Sequence, residues 1–132
     1  VYQFHYLLNE MTAIENVSLP LLLNNFDRET AIRLSREILN SLGLSHRYSH
    51  KPSELSGGEK QRVAIARSMV HSPSLVILDE PTGDLDSATS KEVIDSLNNY
   101  AKDKKASLLI ATHDENFTKI SDQNLIIDSG II

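Results

Sequence analysis

The sequence predicts an α/β fold in which an all-helical portion precedes a parallel sheet, and three observations predict it. Through the first half, apolar residues recur at helical spacing rather than alternating. In the second half, Leu75-Val76-Ile77-Leu78, Leu108-Leu109-Ile110-Ala111 and Leu125-Ile126-Ile127 form short apolar runs ended by polar or turn-forming residues. An amphipathic segment separates the first two runs. Short, fully apolar strands alternating with helices indicate a parallel sheet covered on both faces.

In chain order, a short helix is expected from Thr12 to Leu19, with Pro20 interrupting its hydrogen bonding. A longer one runs from Asp27 to Leu42, where Ala31, Leu34, Ile38 and Leu42 form a stripe widened by Ile32 and Leu39. Asp27 is placed to cap its start and Gly43 to end it in a left-handed conformation. A third helix begins at Ser56 and carries Val63, Ala66 and Val70, with Ile65 and Met69 beside them. A fourth spans about Ser87 to Lys102 and buries Val93, Ile94, Leu97 and Tyr100. A last helix, through Phe117 and Ile120, has Asp114 as its N-cap.

Composition narrows the class. The 132 residues hold 18 acidic side chains against 13 Lys plus Arg, for a formal charge of −5; 40% are apolar, and Cys and Trp are absent. A chain this long can bury roughly two-thirds of its unfolded surface. A disulfide framework and Cys-based zinc sites are excluded, and the acidic balance argues against nucleic-acid binding. No apolar run approaches the ~20 residues of a membrane span, and the densest, Val17 to Leu23, contains Pro20. No secretory signal is seen, so the composition reads as cytoplasmic and soluble. Val1 in place of an initiating Met reads as a sequence that starts mid-gene.

Three short motifs carry chemistry. In Leu55-Ser56-Gly57-Gly58-Glu59, Ser56 and Glu59 have the spacing of a capping box. Two successive glycines in a first turn weaken a helix by up to about 1 kcal/mol each, but they bare backbone amides at a positive helix end, which suits phosphate. The run Leu75 to Leu78 ends in Asp79 and Glu80. Two carboxylates at a strand tip are costly to bury: one, Asp79, can hold a hydrated Mg²⁺ beside nucleotide phosphates, and Glu80 can orient or deprotonate water. The alternative is an ordinary strand exit into the acidic loop Thr82 to Asp86, with Asp86 capping the next helix. His113, in Ala111-Thr112-His113-Asp114, falls at the C-terminal end of a strand, on the ligand-binding side of an α/β sheet. His46, His50 and His71 read as solvated, and His5 is ambiguous.

In this order the elements resemble the nucleotide-binding domain of ATP-binding cassette (ABC) proteins. Leu55 to Arg62 matches the signature, Leu75 to Glu80 the Walker B strand with its catalytic Glu, Gly83-Asp84-Leu85-Asp86 the D-loop, and His113 the switch histidine. Gln3 resembles the Q-loop glutamine. Tyr2 to Leu8, Thr12 to Val17 and Leu19 to Leu22 are most similar to the ATPase of bacterial lipoprotein-releasing systems, and share much with macrolide exporters and the cell-division ABC ATPase. Two positions depart from the pattern: Asn9 stands where Pro is usual, and Asp84 where Asn is commoner.

The resemblance implies a partial P-loop NTPase-type parallel sheet with an ABC α-helical subdomain. Residues 9–69 form the helical subdomain with the signature, and residues 70–132 the second half of the RecA-like core. The sequence contains no Gly-x-x-x-x-Gly-Lys-Ser/Thr phosphate loop, so this chain alone is expected to be inactive. In the family that loop's strand lies between those at Leu108 to Ala111 and Leu125 to Ile127. These two runs are therefore expected either to flank a gap or to be drawn together.

The resemblance further implies ATP and Mg²⁺ as cofactors and a head-to-tail homodimer of nucleotide-binding domains that serves integral membrane permease subunits. The place of action is the cytoplasmic face of the bacterial inner membrane, peripherally, with no nucleic acid as partner. Ser56, Gly57 and Gly58, with Gln61 and Asp86, are expected at the nucleotide, and Asp79 and Gln3 at Mg²⁺. Glu80, His113 and Gln3 are expected to be catalytic. Two other classes compete. Chromosome-maintenance ATPases share these motifs but insert long coiled coils where only about fifty residues intervene here. A non-hydrolysing regulatory module would keep the fold without turnover.

Overall fold

The computed structural model describes Val1 and residues 5–127. Their elements are α1 (Ala13–Leu23), α2 (Arg28–Ser41), a 3₁₀ turn (Pro52–Glu54), α3 (Gly57–Met69), β1 (Leu75–Asp79), α4 (Ser87–Lys104), β2 (Ser107–Ala111) and α5 (Glu115–Thr118). The fold is α/β, as the sequence predicts.

Each long helix starts at a side chain suited to accept its orphan amides. Thr12 and Glu15 form a capping box on α1, Asp27 accepts from the Thr30 amide on α2, and Asp86 accepts from the Ala88 and Thr89 amides on α4. Gly43, at φ +71°, takes the left-handed turn after α2. One expectation fails at Pro20, which lies inside α1 instead of ending it. Proline costs the helix one hydrogen bond but its φ is helical, and burial of Val17 and Leu21 on either side carries the helix through. The buried stripe of α2 is Ala31, Ser35 and Leu39; Leu34 and Ile38 lie at its margin.

The three first helices pack on one another. Asn16, wholly buried, fixes the chain entering α1: its Oδ1 accepts from the Leu8 amide at 2.8 Å, and its Nδ2 donates to the carbonyls of Leu8, Met11 and Thr12 at 3.1 Å each. Two hydrogen bonds tie α4 to this helical portion. The Tyr100 hydroxyl donates to the Met69 carbonyl at 3.2 Å, and the Ser96 hydroxyl to the Ser41 carbonyl at 3.0 Å. One continuous core results, running from Val17 and Leu39 through Ile65 to Leu78 and Leu97.

β1 and β2 are parallel, with Leu75 opposite Ser107 and Asp79 opposite Ala111, joined through α4. On the other edge of β1, the amino-terminal ammonium of Val1 donates to the Ile77 carbonyl at 2.6 Å and the Val1 carbonyl accepts from the Asp79 amide at 3.0 Å. Among the described residues, one sheet face alone is covered. Val76 and Leu78 enter the core, whereas Leu75, Ile77 and Leu109 are 50%, 57% and 56% exposed; no described helix packs on their side. The run Leu125 to Ile127 forms no strand and is exposed. A strand needs a neighbour's hydrogen-bonding edge, and β2 pairs only with β1 among the described residues. Of the two outcomes expected for these runs, they are not drawn together. No described helix is long and apolar enough to cross a membrane.

Candidate active site

The Asp79–Ala111 register decides the site, because it brings the residues leaving both strands side by side at the C-terminal edge of the sheet. The Glu80 amide extends the ladder by one step, donating to the Ala111 carbonyl at 2.9 Å. Glu80 itself has φ +44°. A left-handed non-glycine residue costs of order 1–3 kcal/mol and is held only where its surroundings over-determine it. Here those surroundings are that ladder bond, the turn closed by the Gly83 amide onto the Glu80 carbonyl at 3.2 Å, and the side-chain contacts. His113 Nδ1 lies 2.9 Å from Glu80 Oε1, and the Thr112 hydroxyl donates to Glu80 Oε2 at 3.2 Å. Glu80, as acceptor and as charge, raises the His113 imidazole above its ordinary value, with a smaller push from Asp114.

A second layer holds these groups. The Thr82 hydroxyl, buried, donates to Asp114 Oδ2 at 3.0 Å, and the Asp114 amide donates to Thr112 Oγ1 at 3.0 Å. The Asn116 amide, and then Thr82, hold the Asp114 carboxyl below its usual range against the opposing effect of burial. Asp79 is exposed at the tip of β1. Among the described residues no group of three or more His, Cys, Asp or Glu could hold a metal unaided. A single carboxylate fits Mg²⁺, which keeps waters and takes phosphate oxygens as its remaining ligands.

At the start of α3, the capping box read from the sequence is formed: the Glu59 amide donates to Ser56 Oγ at 3.2 Å and the Ser56 amide to Glu59 Oε2 at 2.8 Å. Arg47 Nε donates to Glu59 Oε1 at 2.7 Å. Burial works to raise the Glu59 carboxyl, but the Ser56 amide and Arg47 outweigh it and bring it to about 2. Space around Gly57 is open. At Gly58 a Cβ would lie 2.6 Å from Leu85 Cδ2, so this glycine lets α3 abut the loop that leads from Glu80 to Asp86.

The other site candidates lie apart from the Glu80–His113 pair. Gln61 is buried, and among the described residues neither of its amide atoms has a hydrogen-bond partner. The Asp86 carboxylate caps α4, accepting from the Ala88 and Thr89 amides and from the Thr89 hydroxyl. Gln3 lies outside the described residues. Its flanks are held on both sides: Val1 by β1, and the carbonyls of His5 and Tyr6 by Arg67, whose Nη2 and Nη1 donate to them at 2.8 Å each. The sequence reading missed Arg67, Thr82 and Thr112. The first has no local signal, whereas the two threonines stand beside the strand ends already singled out. His46 and His71 are exposed, as expected. His50 is not simply solvated, since its Nε2 lies 3.2 Å from Arg47 Nη1. His5 is half-buried, and burial lowers its imidazole, opposed by Asp84.

The chain is similar to known proteins along its whole length. The family described as ABC transporter matches residues 1–83. The lipoprotein-releasing system ATP-binding protein LolD of Psychrobacter arcticus is 47% identical over 131 residues, which are 98% of this chain and 58% of that protein. LolD of Geobacter metallireducens is 47% identical over 133 residues, covering 100% of this chain and 59% of its own length. The chain thus spans somewhat over half the length of these relatives. Among solved structures, dimeric MJ0796, a bacterial ABC transporter cassette, superposes with a TM-score of 0.86 at 34% identity over 92% of this chain and 54% of its own. A post-hydrolysis dimer of MJ0796 bound to ADP and Pi gives 0.81, also at 34% identity. Signature helix, paired strand ends and whole-chain similarity converge, and this chain belongs to the ABC transporter family.

Proposed function

We propose that the whole protein is the ATP-hydrolysing subunit of an ABC transporter, and that it drives lipoprotein release from the bacterial inner membrane. The observation that carries this reading is the Glu80–His113 pair, set at the ends of adjacent parallel strands beside Asp79. A module without turnover has no use for a strained carboxylate joined to an imidazole. The similarity to LolD proteins supports the lipoprotein system in particular. In this reading residues 9–69 are the helical subdomain and residues 70–132 the second half of the catalytic core.

Glu80 takes a proton from water as the water oxygen bonds to the γ-phosphorus of ATP. The bond from that phosphorus to the β–γ bridging oxygen breaks, and ADP leaves with the electron pair. His113, its Nδ1 turned to Glu80, offers Nε2 to the transferring phosphoryl group. Asp79 and Gln3 would hold Mg²⁺, which neutralises phosphate charge when bound. The N-terminus of α3, at Ser56, Gly57 and Gly58, would bind the γ-phosphate held by a second copy, with Gln61 and Asp86 as its supports. The active unit is then a head-to-tail homodimer, docked on permease subunits at the cytoplasmic face of the membrane.

Glu80→Gln in the whole protein tests this. ATP turnover is expected to fall by about 10²–10⁴-fold while ATP-dependent dimerisation, followed by sedimentation, persists. An ordinary hydrolysis rate in that variant refutes the role of Glu80.

A further inference from the structure

Building on the reading of Glu80 as the group that acts on water, we propose that Thr112 is a positioning residue that fixes the rotation of the Glu80 carboxylate. A carboxyl group turns broadly about its terminal torsion, so one hydrogen bond does not set its plane. Glu80 has two, one on each oxygen: His113 Nδ1 at 2.9 Å from Oε1 and the Thr112 hydroxyl at 3.2 Å from Oε2.

The direction of the second bond is settled by chemistry. A hydroxyl carries one proton and two lone pairs. The Asp114 amide occupies a lone pair of Thr112 Oγ1 at 3.0 Å, and an amide can only donate. A carboxylate can only accept. The single Thr112 proton therefore points at Glu80, and Asp114, itself held by Thr82 at 3.0 Å, prevents the hydroxyl from turning away.

Glu80 is thus constrained at both ends. Its backbone is left-handed at φ +44°, and its carboxylate is gripped by two consecutive residues from the neighbouring strand end. That arrangement holds a general base in one orientation before substrate arrives. Thr112 touches no reacting atom and acts through Glu80 alone.

The test compares Thr112→Val, which keeps the shape and removes the donor, with Thr112→Ser, which keeps the donor. In the whole protein Thr112→Val is expected to lower kcat by about 10–100-fold with the KM for ATP unchanged, and Thr112→Ser to restore most of it. Wild-type kcat in Thr112→Val, or a loss that Thr112→Ser shares, overturns the proposal. A second readout does not depend on activity. By NMR, the His113 titration midpoint should fall in Thr112→Val, because a freed carboxylate spends less time on Nδ1, and should stay in place in Thr112→Ser. An unmoved midpoint in Thr112→Val overturns the proposal too. If the wild-type whole protein shows no ATP turnover, the hydrolytic reading fails, and the His113 midpoint still decides the role of Thr112.

Discussion

Arg67, near the end of α3, donates to the carbonyl of Tyr6, 61 positions earlier in the chain, at 2.8 Å. With its second bond, to the His5 carbonyl, it closes over two successive residues at φ +28° and +46°. The helix that begins at Ser56 is thereby joined to the segment that follows Gln3.

Removing the guanidinium should release that segment. Arg67→Ala is expected to cost about 1–3 kcal/mol, the range for hydrogen bonds to a charged group, seen as a lower urea midpoint. Amide exchange over residues 6–9 should rise with it. Arg67→Lys should recover less than half, since an ammonium lacks the planar fork that spans two carbonyls. Full stability in Arg67→Ala would show that the strained turn holds itself.

The Glu80–His113 contact predicts a pH signature. His113 should titrate above the ordinary value of about 6.5 by NMR, and Glu80→Gln should bring it back. A raised folded-state value stabilises the fold most below the unfolded value and loses that contribution as pH climbs through the folded one. The stability gap between wild type and Glu80→Gln should therefore narrow towards alkaline pH; a gap that widens contradicts the pairing.

Glu59 predicts the opposite window. Its carboxyl is held at about 2 in the fold, well below its unfolded value of about 4.3. The contribution is full above the unfolded value and lost as pH falls through the folded one. Glu59→Gln should lie below wild type in stability at neutral pH, by about 1.5–3 kcal/mol, because its amide oxygen can still cap the Ser56 amide but the charged bond to Arg47 is lost. The two should converge between about pH 4 and 2. Parallel acid-unfolding curves would refute this.

The two glycines of α3 should respond differently to alanine. Gly57→Ala meets open space and should be neutral or slightly stabilising, because alanine is the better helix former. Gly58→Ala puts a methyl against Leu85 and should destabilise relative to Gly57→Ala. Adding Leu85→Ala should then cost less than it does in wild type, and additivity of the two would rule out the contact.

Much of this arrangement was legible from local chemistry. Asp27, Ser56, Asp86 and Asp114 announce themselves as caps because a short acceptor before an apolar stripe has one good use. The apolar runs at Leu75 and Leu108 place Glu80 and His113 at strand ends, and parallel pairing then brings them together. Other features depend on partners far away in sequence. Arg67 reads as one more basic residue on a helix, since the carbonyls it binds belong to no residue type. Pro20 reads as a break, because the pull of the core on its neighbours is tertiary. Leu125 to Ile127 has the pattern of a strand, but pattern supplies only one of the two edges a strand requires.

The strand register has a further consequence, for how insertions and deletions act on this molecule. Side chains alternate along a strand, so slipping β2 by one position would turn Leu108 and Ile110 out of the core and move His113 away from Glu80 in the same motion. The apolar residues that oppose such a slip therefore also set the spacing of the reactive pair. Length changes confined to the connections at either end of α4 leave that gauge intact, provided the chain loops out and the ladder stays in step. Changes in β2 itself do not, so the core and the chemistry stand or fall together there.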